Sequence, residues 1–342
     1  MPESIPSRQR ALVLERHCED LIEAIEGLKV AERPVPEPGR GQVLVKIEAA
    51  PCNPSDLVFL QAKYGALKTL PSVPGWEGAG RVVASGGGWL AGWLVGQRVA
   101  SALEGDRDGT WAEYFLADAS DCIPLSPKLP IDQAASLIIN PLTAVGLLET
   151  ARRRRHRAAV HTAGASQVGR MILAIANEAG YPVIHIVRRR AQVDLLRALG
   201  TEHVLDASRD DFSEQLRAAS ADLGATIAFE AVAGPMTGRV LNAMPPGSTV
   251  YVYGALSEEA CSGIDPIGLL FRDQTVTGFY LARWLRKQNR LSIFLKARRV
   301  QQMLIAGRIA TGIERRASLD EAADAMKQYV HHMTDGKVVI HP

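Results

Sequence analysis

Cysteine is scarce in this chain, aromatic residues are few, long apolar runs are missing, and charge of one sign barely exceeds the other. Each shortage closes a class of function. The 342 residues include four cysteines, Cys18, Cys52, Cys122 and Cys261, with no C-x-x-C spacing. That scatter argues against a disulfide framework and fits reduced thiols in a cytoplasmic protein. No run is apolar for long enough to span a bilayer, so no membrane partner is expected. Met1-Pro-Glu-Ser-Ile-Pro6 lacks the apolar core of a secretory leader. A formal net charge of +2 is too small to suggest nucleic-acid binding. What is abundant is glycine, 30 residues, and apolar side chains, 47%. Together with the length they describe a globular chain of two domains or one large one.

The glycines cluster informatively in His161-Thr-Ala-Gly-Ala-Ser-Gln-Val-Gly-Arg170. An apolar strand, Ala158–Thr162, leads into it. Gly164, Ser166 and Gly169 stand at the positions of G-x-G-x-x-G, with Gln167 and Val168 between the last two. A helix over Gln167–Glu178 and a second strand over Val183–Val187 follow, and that strand ends in Arg188, Arg189 and Arg190. This is the layout of a dinucleotide-binding βαβ unit. Small residues let the backbone approach a pyrophosphate, and free N–H groups at the helix start face its charge. A tight turn without a ligand is the alternative, since the middle glycine is replaced by Ser166. An NAD site usually places an acid after the second strand, to hold the ribose hydroxyls. Here no acid occurs until Asp194. Guanidinium forks suit a phosphate, so NADP(H) is the expected cofactor; a solvated basic turn is the alternative. The Arg152–Arg157 run reads as a solvated turn, with a docking patch for an acidic carrier as the sharper alternative.

Residues 10 to 125 are rich in turns and short Val-containing strands such as Val43–Ile47. A helix starting at Asp132 is expected to break at Pro141. From Leu142 to about Tyr280, strands alternate with helices: after the βαβ unit come Gln192–Leu199, His203–Asp206, Phe212–Ala219, Ala225–Phe229, Met236–Asn242 and Ser248–Tyr253. Such alternation implies a doubly wound parallel sheet. A helix after Leu291, an amphipathic one over Ser318–His331 and a short strand at Lys337–Ile340 close the chain. The expected fold is α/β, with a β-rich domain over 1–132, completed by 305–342, and a dinucleotide-binding domain over 133–304.

Pro51-Cys-Asn-Pro-Ser-Asp56, Gln61-Ala-Lys-Tyr-Gly65, Leu70-Pro-Ser-Val-Pro-Gly-Trp-Glu-Gly-Ala-Gly80 and Asn140-Pro-Leu-Thr-Ala144, taken with the turn above, resemble the medium-chain dehydrogenase/reductase superfamily. The likeness runs from about Ala11 to Ile340. It implies a GroES-like catalytic domain beside a Rossmann domain. In the zinc alcohol dehydrogenases the position of Asn53 is Cys and that of Trp76 is His. Neither Asn nor Trp supplies the thiolate or imidazole that zinc takes. Cys52 is one residue out of register, which turns its side chain the other way on a strand. The resemblance is therefore to zinc-independent members, with no metal expected. Asn53-Pro-Ser-Asp56, Gln61, Tyr64-Gly65, Val187–Arg190 and Gly278–Trp284 look most like the mitochondrial-type 2-enoyl thioester reductases. Those usually carry Arg-Asp-Arg after the strand and Phe-Trp-Leu in the later loop, where this chain has Arg188-Arg-Arg190 and Phe279-Tyr-Leu281. Quinone oxidoreductases share the scaffold but commonly lack the tyrosine matching Tyr64.

Carried over position by position, the resemblance makes Tyr64 a proton donor. Asn53 becomes either its aligning group or a turn former before Pro54. Asn140 and Thr143 are implied at the nicotinamide end, with Thr143 alternatively a helix cap. Ser166 to Gly169 match the pyrophosphate turn, and Arg188, Arg189 and Arg190 the 2′-phosphate grip. Tyr253, Gly254, Ala255 and Leu256 lie at the nicotinamide ribose; Phe279, Tyr280 and Leu281 line the nicotinamide face; Lys337 contacts the cofactor. Glu77 reads as a structural acid, and Trp76, Trp89 and Trp93 as packing or cleft-wall residues. The implied activity is NADPH-dependent reduction of an α,β-unsaturated thioester or carbonyl (enoyl thioester or enone). An NADPH:quinone oxidoreductase and an NADPH-binding protein without turnover are the alternatives. The resemblance also implies a homodimer, paired through the segment Ser248–Gly254.

Overall fold

The computed structural model describes residues 4–334 and 336–342. The chain forms two compact units. The first takes the residues up to Ile139 and those from Arg290 onward; the second is Asn140–Asn289. Strands β1 (Arg8–Leu14), β2 (Leu28–Pro34), β3 (Gln42–Pro51), β4 (Glu77–Ser85), β5 (Arg98–Ala102), β6 (Tyr114–Asp118) and β7 (Ile123–Pro124) belong to the first unit. The second holds β8 (Ala158–His161), β9 (Val183–Val187), β10 (Val204–Asp206), β11 (Ala225–Glu230), β12 (Thr249–Val252) and β13 (Thr275–Gly278). The chain then returns to the first for β14 (Ile313–Ala317) and β15 (Lys337–Ile340).

In the first unit β1 and β2 form an antiparallel ribbon, and a larger sheet runs in the order β14-β15-β3-β4-β5-β7, with β6 also on β3. Val43, Val45 and Ile47 share one face of β3 and pack into the core beside Trp111 and Phe115, while Leu44, on the other face, and Ala49 are buried as well. The C-terminal β15 runs antiparallel to β3, Val339 opposite Pro51, and the Cys52 N–H donates to the Val338 carbonyl at 2.9 Å. That register brings Lys337 alongside Asn53. The helix Arg290–Ile305 belongs to this unit, whereas the sequence reading placed it within 133–304. Gln301 decides the matter: its Nε2 donates to the Pro124 carbonyl at 3.0 Å and its Oε1 accepts the Ser126 N–H at 2.9 Å. Trp89 and Trp93 are corrected too. They lie on the short helix Trp89–Leu94 and are 84% and 56% exposed, so neither packs in a core or cleft.

The second unit is a six-stranded parallel sheet in the order β10-β9-β8-β11-β12-β13. The chain winds outward from β8 through β9 and β10, then restarts at β11 and winds the other way. The order therefore reverses between β8 and β11, and in such sheets ligands bind outside the carboxyl ends of the strands at that reversal. The helix Gln167–Glu178 faces the sheet with Met171, Ile172, Leu173 and Ala176, all nearly inaccessible to water. Each larger apolar side chain so buried contributes about 1.5–3 kcal/mol relative to exposure. Pro141 does not break a helix, as the sequence reading expects. One helix ends at Ala135 and a second starts at Ile139, with Pro141 in its first turn, where the missing N–H has no intrahelical partner to lose. Strand β12 is interior, flanked by β11 and β13. The strand expected to pair with a second copy is therefore already paired on both sides, and β13 forms the edge. Arg152 to Arg155 are exposed over the end of the helix Ile139–Arg153 and the turn that follows it before β8, at the amino end of the sheet.

Candidate active site

In the second unit the sequence-selected residues gather at the carboxyl ends of the strands. The turn after β8 is shaped by close backbone approach. A Cβ on Gly169 would lie 2.2 Å from the Gly164 carbonyl oxygen, and one on Gly164 would lie 2.9 Å from Cβ of His185. Both positions therefore require glycine. Ser166, where the motif departs from glycine, has a task of its own: its Oγ accepts the Gly169 N–H at 3.1 Å and caps the helix Gln167–Glu178. Ala163 adopts a left-handed φ of 52°, a strained conformation for a residue with a Cβ and one that recurs where a chain turns around a ligand.

Glu230, at the end of β11, is a residue sequence reasoning missed. It is fully buried and accepts the Val232 N–H at 2.7 Å, the Ala233 N–H at 2.8 Å and the Thr162 hydroxyl at 3.2 Å. Thr162 in turn accepts the Ala231 N–H at 2.8 Å. This lattice joins the ends of β8 and β11 at the reversal point. Its signal was an acid ending the run Ala225–Phe229, which no strand periodicity explains.

Arg188, Arg189 and Arg190 follow β9 and are exposed. Arg190 pairs with Asp194 at 3.2 Å, and the Arg188 N–H is held by Gln192 Oε1 at 3.3 Å. After β12, the Tyr253 hydroxyl bonds His161 Nε2 at 2.7 Å, with the two rings stacked 5.9 Å apart. Burial, with His185 beside it, drives the His161 imidazolium well below its ordinary range, and burial pushes the Tyr253 phenol up. Both are thus neutral, and Tyr253 is turned inward, with Gly254, Ala255 and Leu256 continuing past it. The Leu256 N–H reaches back to the Ala231 carbonyl at 3.0 Å. Phe279 continues from β13 with its N–H on the Val252 carbonyl at 2.8 Å. It and Trp284 press on the helix Ile139–Arg153 at Gly146, where a Cβ would meet them at 2.8 and 3.1 Å. Tyr280 and Leu281 follow. The first turns of that helix carry Asn140 and Thr143, both buried. Thr143 lies inside the helix, which removes its reading as a cap.

In the first unit Tyr64 rests on Trp76, ring centroids 5.2 Å apart. Beside them lies a buried charge cluster. Asn53 precedes the helix Pro54–Leu60, and Asp56 reaches back to accept its N–H at 2.7 Å and the Trp76 N–H at 3.0 Å. Asn53 Nδ2 donates to Glu77 at 3.1 Å, while its Oδ1 accepts from the Lys337 ammonium. Glu77 also accepts the N–H groups of Ile138 and Ile139 at 3.1 and 2.9 Å. All four side chains are essentially inaccessible to water. Desolvation raises Asp56 to about 7 and raises Glu77, and it lowers Lys337 despite the attraction of both carboxylates. One expectation changes here. Lys337 does not reach out to a cofactor, because its ammonium is buried among Asn53, Glu77 and Asp56. The Asn53 amide is held at both ends inside the cluster, its Nδ2 by Glu77 and its Oδ1 by Lys337.

Residues 39–127 match the alcohol dehydrogenase GroES-like domain, and residues 168–296 match the zinc-binding dehydrogenase family. The mitochondrial enoyl-[acyl-carrier-protein] reductase of Bos taurus is 32% identical over 291 residues, covering 83% of this chain and 75% of the bovine one. The chain belongs to the medium-chain dehydrogenase/reductase superfamily. A solved candidate NADPH:quinone reductase from Mesorhizobium loti is 34% identical, with a TM-score of 0.91 over 99% of this chain and all of the other. A mycobacterial protein solved with NADPH is 26% identical, with a TM-score of 0.81 over 98% of this chain and all of the other. The superfamily's members are oxidoreductases that take a nicotinamide cofactor, and the glycine cradle with its capped helix fits a dinucleotide pyrophosphate.

The superfamily's zinc fits less well. Asn53 and Trp76 bring no thiolate or imidazole to the positions where zinc members carry them, and the Asn53 oxygen already faces an ammonium that would repel a dication. Among the described residues no three His, Cys, Asp or Glu side chains are grouped so as to hold a metal ion. No helix among them is long and apolar enough to cross a membrane.

Proposed function

We propose that this oxidoreductase is a zinc-independent, NADPH-dependent reductase of α,β-unsaturated thioesters or carbonyls. The observation that carries the reading is Tyr64, seated on Trp76 where a zinc member would carry a metal-binding histidine. A phenol there offers a proton where a zinc enzyme offers a Lewis acid. The names of the relatives support the same reaction class, the bovine protein as an enoyl reductase and the Mesorhizobium protein as a candidate quinone reductase.

When bound, NADPH supplies a hydride to the β-carbon of the activated double bond. The chain's own residues supply the rest. The turn Gly164–Gly169 and the helix start behind it hold the pyrophosphate. Arg188, Arg189 and Arg190 hold the phosphate that distinguishes NADPH from NADH. Asn140, Thr143, Phe279, Tyr280 and Leu281 surround the nicotinamide end, with Tyr253 to Leu256 at its ribose. As negative charge grows on the acceptor oxygen, preorganised donors must meet it, and the Tyr64 hydroxyl gives a proton to the α-carbon. The products are a saturated thioester or carbonyl and NADP⁺.

The decisive experiment follows NADPH oxidation with crotonyl-CoA and with 1,4-benzoquinone, comparing wild type with Tyr64→Phe. An enoyl reductase loses most of its thioester turnover, about 10²-fold or more for a positioned proton donor. Unchanged thioester turnover in the variant, or quinone reduction alone, moves the assignment to a quinone oxidoreductase. NADPH binding with no turnover on either acceptor moves it to a binding protein.

A homodimer is part of the proposal, seated on the β13 edge rather than on β12. So is a cytoplasmic location, which suits four free thiols.

A further inference from the structure

We propose that Lys68 is a positioning residue for Tyr64: its buried ammonium grips the Trp76 indole and so fixes the loop that carries the phenol. The inference rests on the reading of Tyr64 as proton donor.

The loop Tyr64-Gly-Ala-Leu-Lys68 touches Trp76 at both ends. Tyr64 lies against the indole at 5.2 Å and a tilt of 36°. Lys68 Nζ sits 4.6 Å from the indole centroid and 5.8 Å from that of Phe59, and it donates to the Val73 carbonyl at 3.0 Å. The indole itself is pinned. Phe59 meets it edge to face at 5.4 Å, and Asp56 holds its backbone N–H. Just beyond Lys68, Thr69 gives its backbone N–H and its hydroxyl to the Asp106 carboxylate. Between these anchors Leu67 is half exposed, and neither helix nor strand runs between Leu60 and Glu77. Lys68 is therefore the fastening nearest to Tyr64 on the C-terminal side.

A lysine is a poor choice here for stability alone. Desolvation brings it down from 10.5 to about 8, outweighing the attraction of Asp56, Asp108 and Asp106. The folded value lies below the unfolded one. Carrying the charge thus costs stability at every pH below about 8, and the cost fades as pH rises from about 8 to 10.5. Methionine or leucine would pack on Trp76 and Phe59 without that cost. What they lack is the directional attraction of a cation for an indole face. The acids that face Lys68 are otherwise engaged: Asp56 with two N–H groups, Asp106 with Thr69, and Asp108 with Arg33 at 2.9 Å. Deprotonation of Lys68 therefore removes the grip, and no second cation replaces it in that set.

The test compares wild type with Lys68→Met, Lys68→Arg and Trp76→Phe in the full chain. Two measurements need no turnover: tryptophan emission against pH, and hydrogen exchange across residues 64–70. Wild type should show an emission change centred near pH 8 that Lys68→Met and Trp76→Phe both lack, and exchange in the loop should speed up in Lys68→Met. With crotonyl-CoA, Lys68→Met should lose about tenfold or more in kcat at pH 7 while NADPH affinity and Tm hold or Tm rises. Wild-type kcat should fall above pH 8, and Lys68→Arg should restore kcat and remove that fall. Wild-type emission, exchange and kcat in Lys68→Met would overturn the proposal. So would a kcat loss matched by a lower Tm in Lys68→Met and unrelieved by arginine. If no form reduces a thioester, emission and exchange still decide whether Lys68 holds the loop, and the failure then belongs to the proposed reaction.

Discussion

Lys337 shows what a single buried charge is required to do. It is the cation beside Glu77 and Asp56 in a site with no access to water. Removing one partner of such a group leaves the others uncompensated, which costs about 3–5 kcal/mol. Lys337→Met should lower stability by that order at pH 8. The loss should be smaller at pH 5.5. Asp56 already titrates near 7 in the folded state against 3.8 in a free chain. Between those values the folded protein keeps a proton that the unfolded chain has shed, so this acid's contribution is full below about pH 4 and is lost as pH rises to about 7. Without the lysine both carboxyls should hold their protons more strongly, and acid should relieve the variant. Urea denaturation at the two pH values measures this, and an equal loss at both would show that packing, not charge, is what Lys337 supplies. Lys337, Asn53 and Tyr64 were singled out by the family resemblance, Lys337 as a cofactor contact. Their partners were not, because Asn53 and Lys337 stand 284 positions apart and meet only through the pairing of β15 with β3. Lys68 gave still less warning, since nothing in Ala66-Leu-Lys-Thr-Leu70 tells a buried lysine from a solvated one.

Elements with a strong period were read well, and those whose ends depend on a side-chain bond were read loosely. The helix Gln167–Glu178 has the bounds expected from its apolar stripe, because that stripe and the Ser166 cap point to the same start. The next helix begins at Arg190, two residues earlier than expected, since Arg190 pairs with Asp194 one turn on. That detail bears on the cofactor. Arg188 and Arg190 flank Arg189, which stands at the helix N-cap, so removing these two of the three guanidinium groups should take away most of the phosphate grip. The double variant Arg188→Ala, Arg190→Ala should raise the KM for NADPH tenfold or more, as expected for loss of charge-assisted contacts worth about 1.5–3 kcal/mol each, and leave that for NADH nearly unchanged. Equal changes for both cofactors would mean that the cluster is only a solvated turn.

At the scale of the whole molecule the sequence order conceals how the sheet ends. A Val- and Tyr-rich run such as Ser248–Gly254 looks like a terminal strand, but one more strand, β13, adds to its free side. Only four residues long and mostly exposed, β13 carries too little apolar signal to be noticed in sequence. The helix leading into it, Pro266–Phe271, presents Leu270 at 72% and Phe271 at 77% exposure, beside Ile267 and Leu269. An open strand edge is a template for pairing, and large apolar side chains gathered next to one mark a surface that is covered in the working protein. A second copy paired edge to edge through β13 would satisfy the open backbone groups and bury these side chains in one step, continuing the sheet of each protomer into the other. Sedimentation should therefore find a dimer at micromolar concentration. Leu270→Asp with Phe271→Asp should dissociate it while leaving NADPH binding intact, because neither residue lies at the carboxyl ends of the strands. A wild-type monomer under the same conditions would require some other chemistry to cover that face.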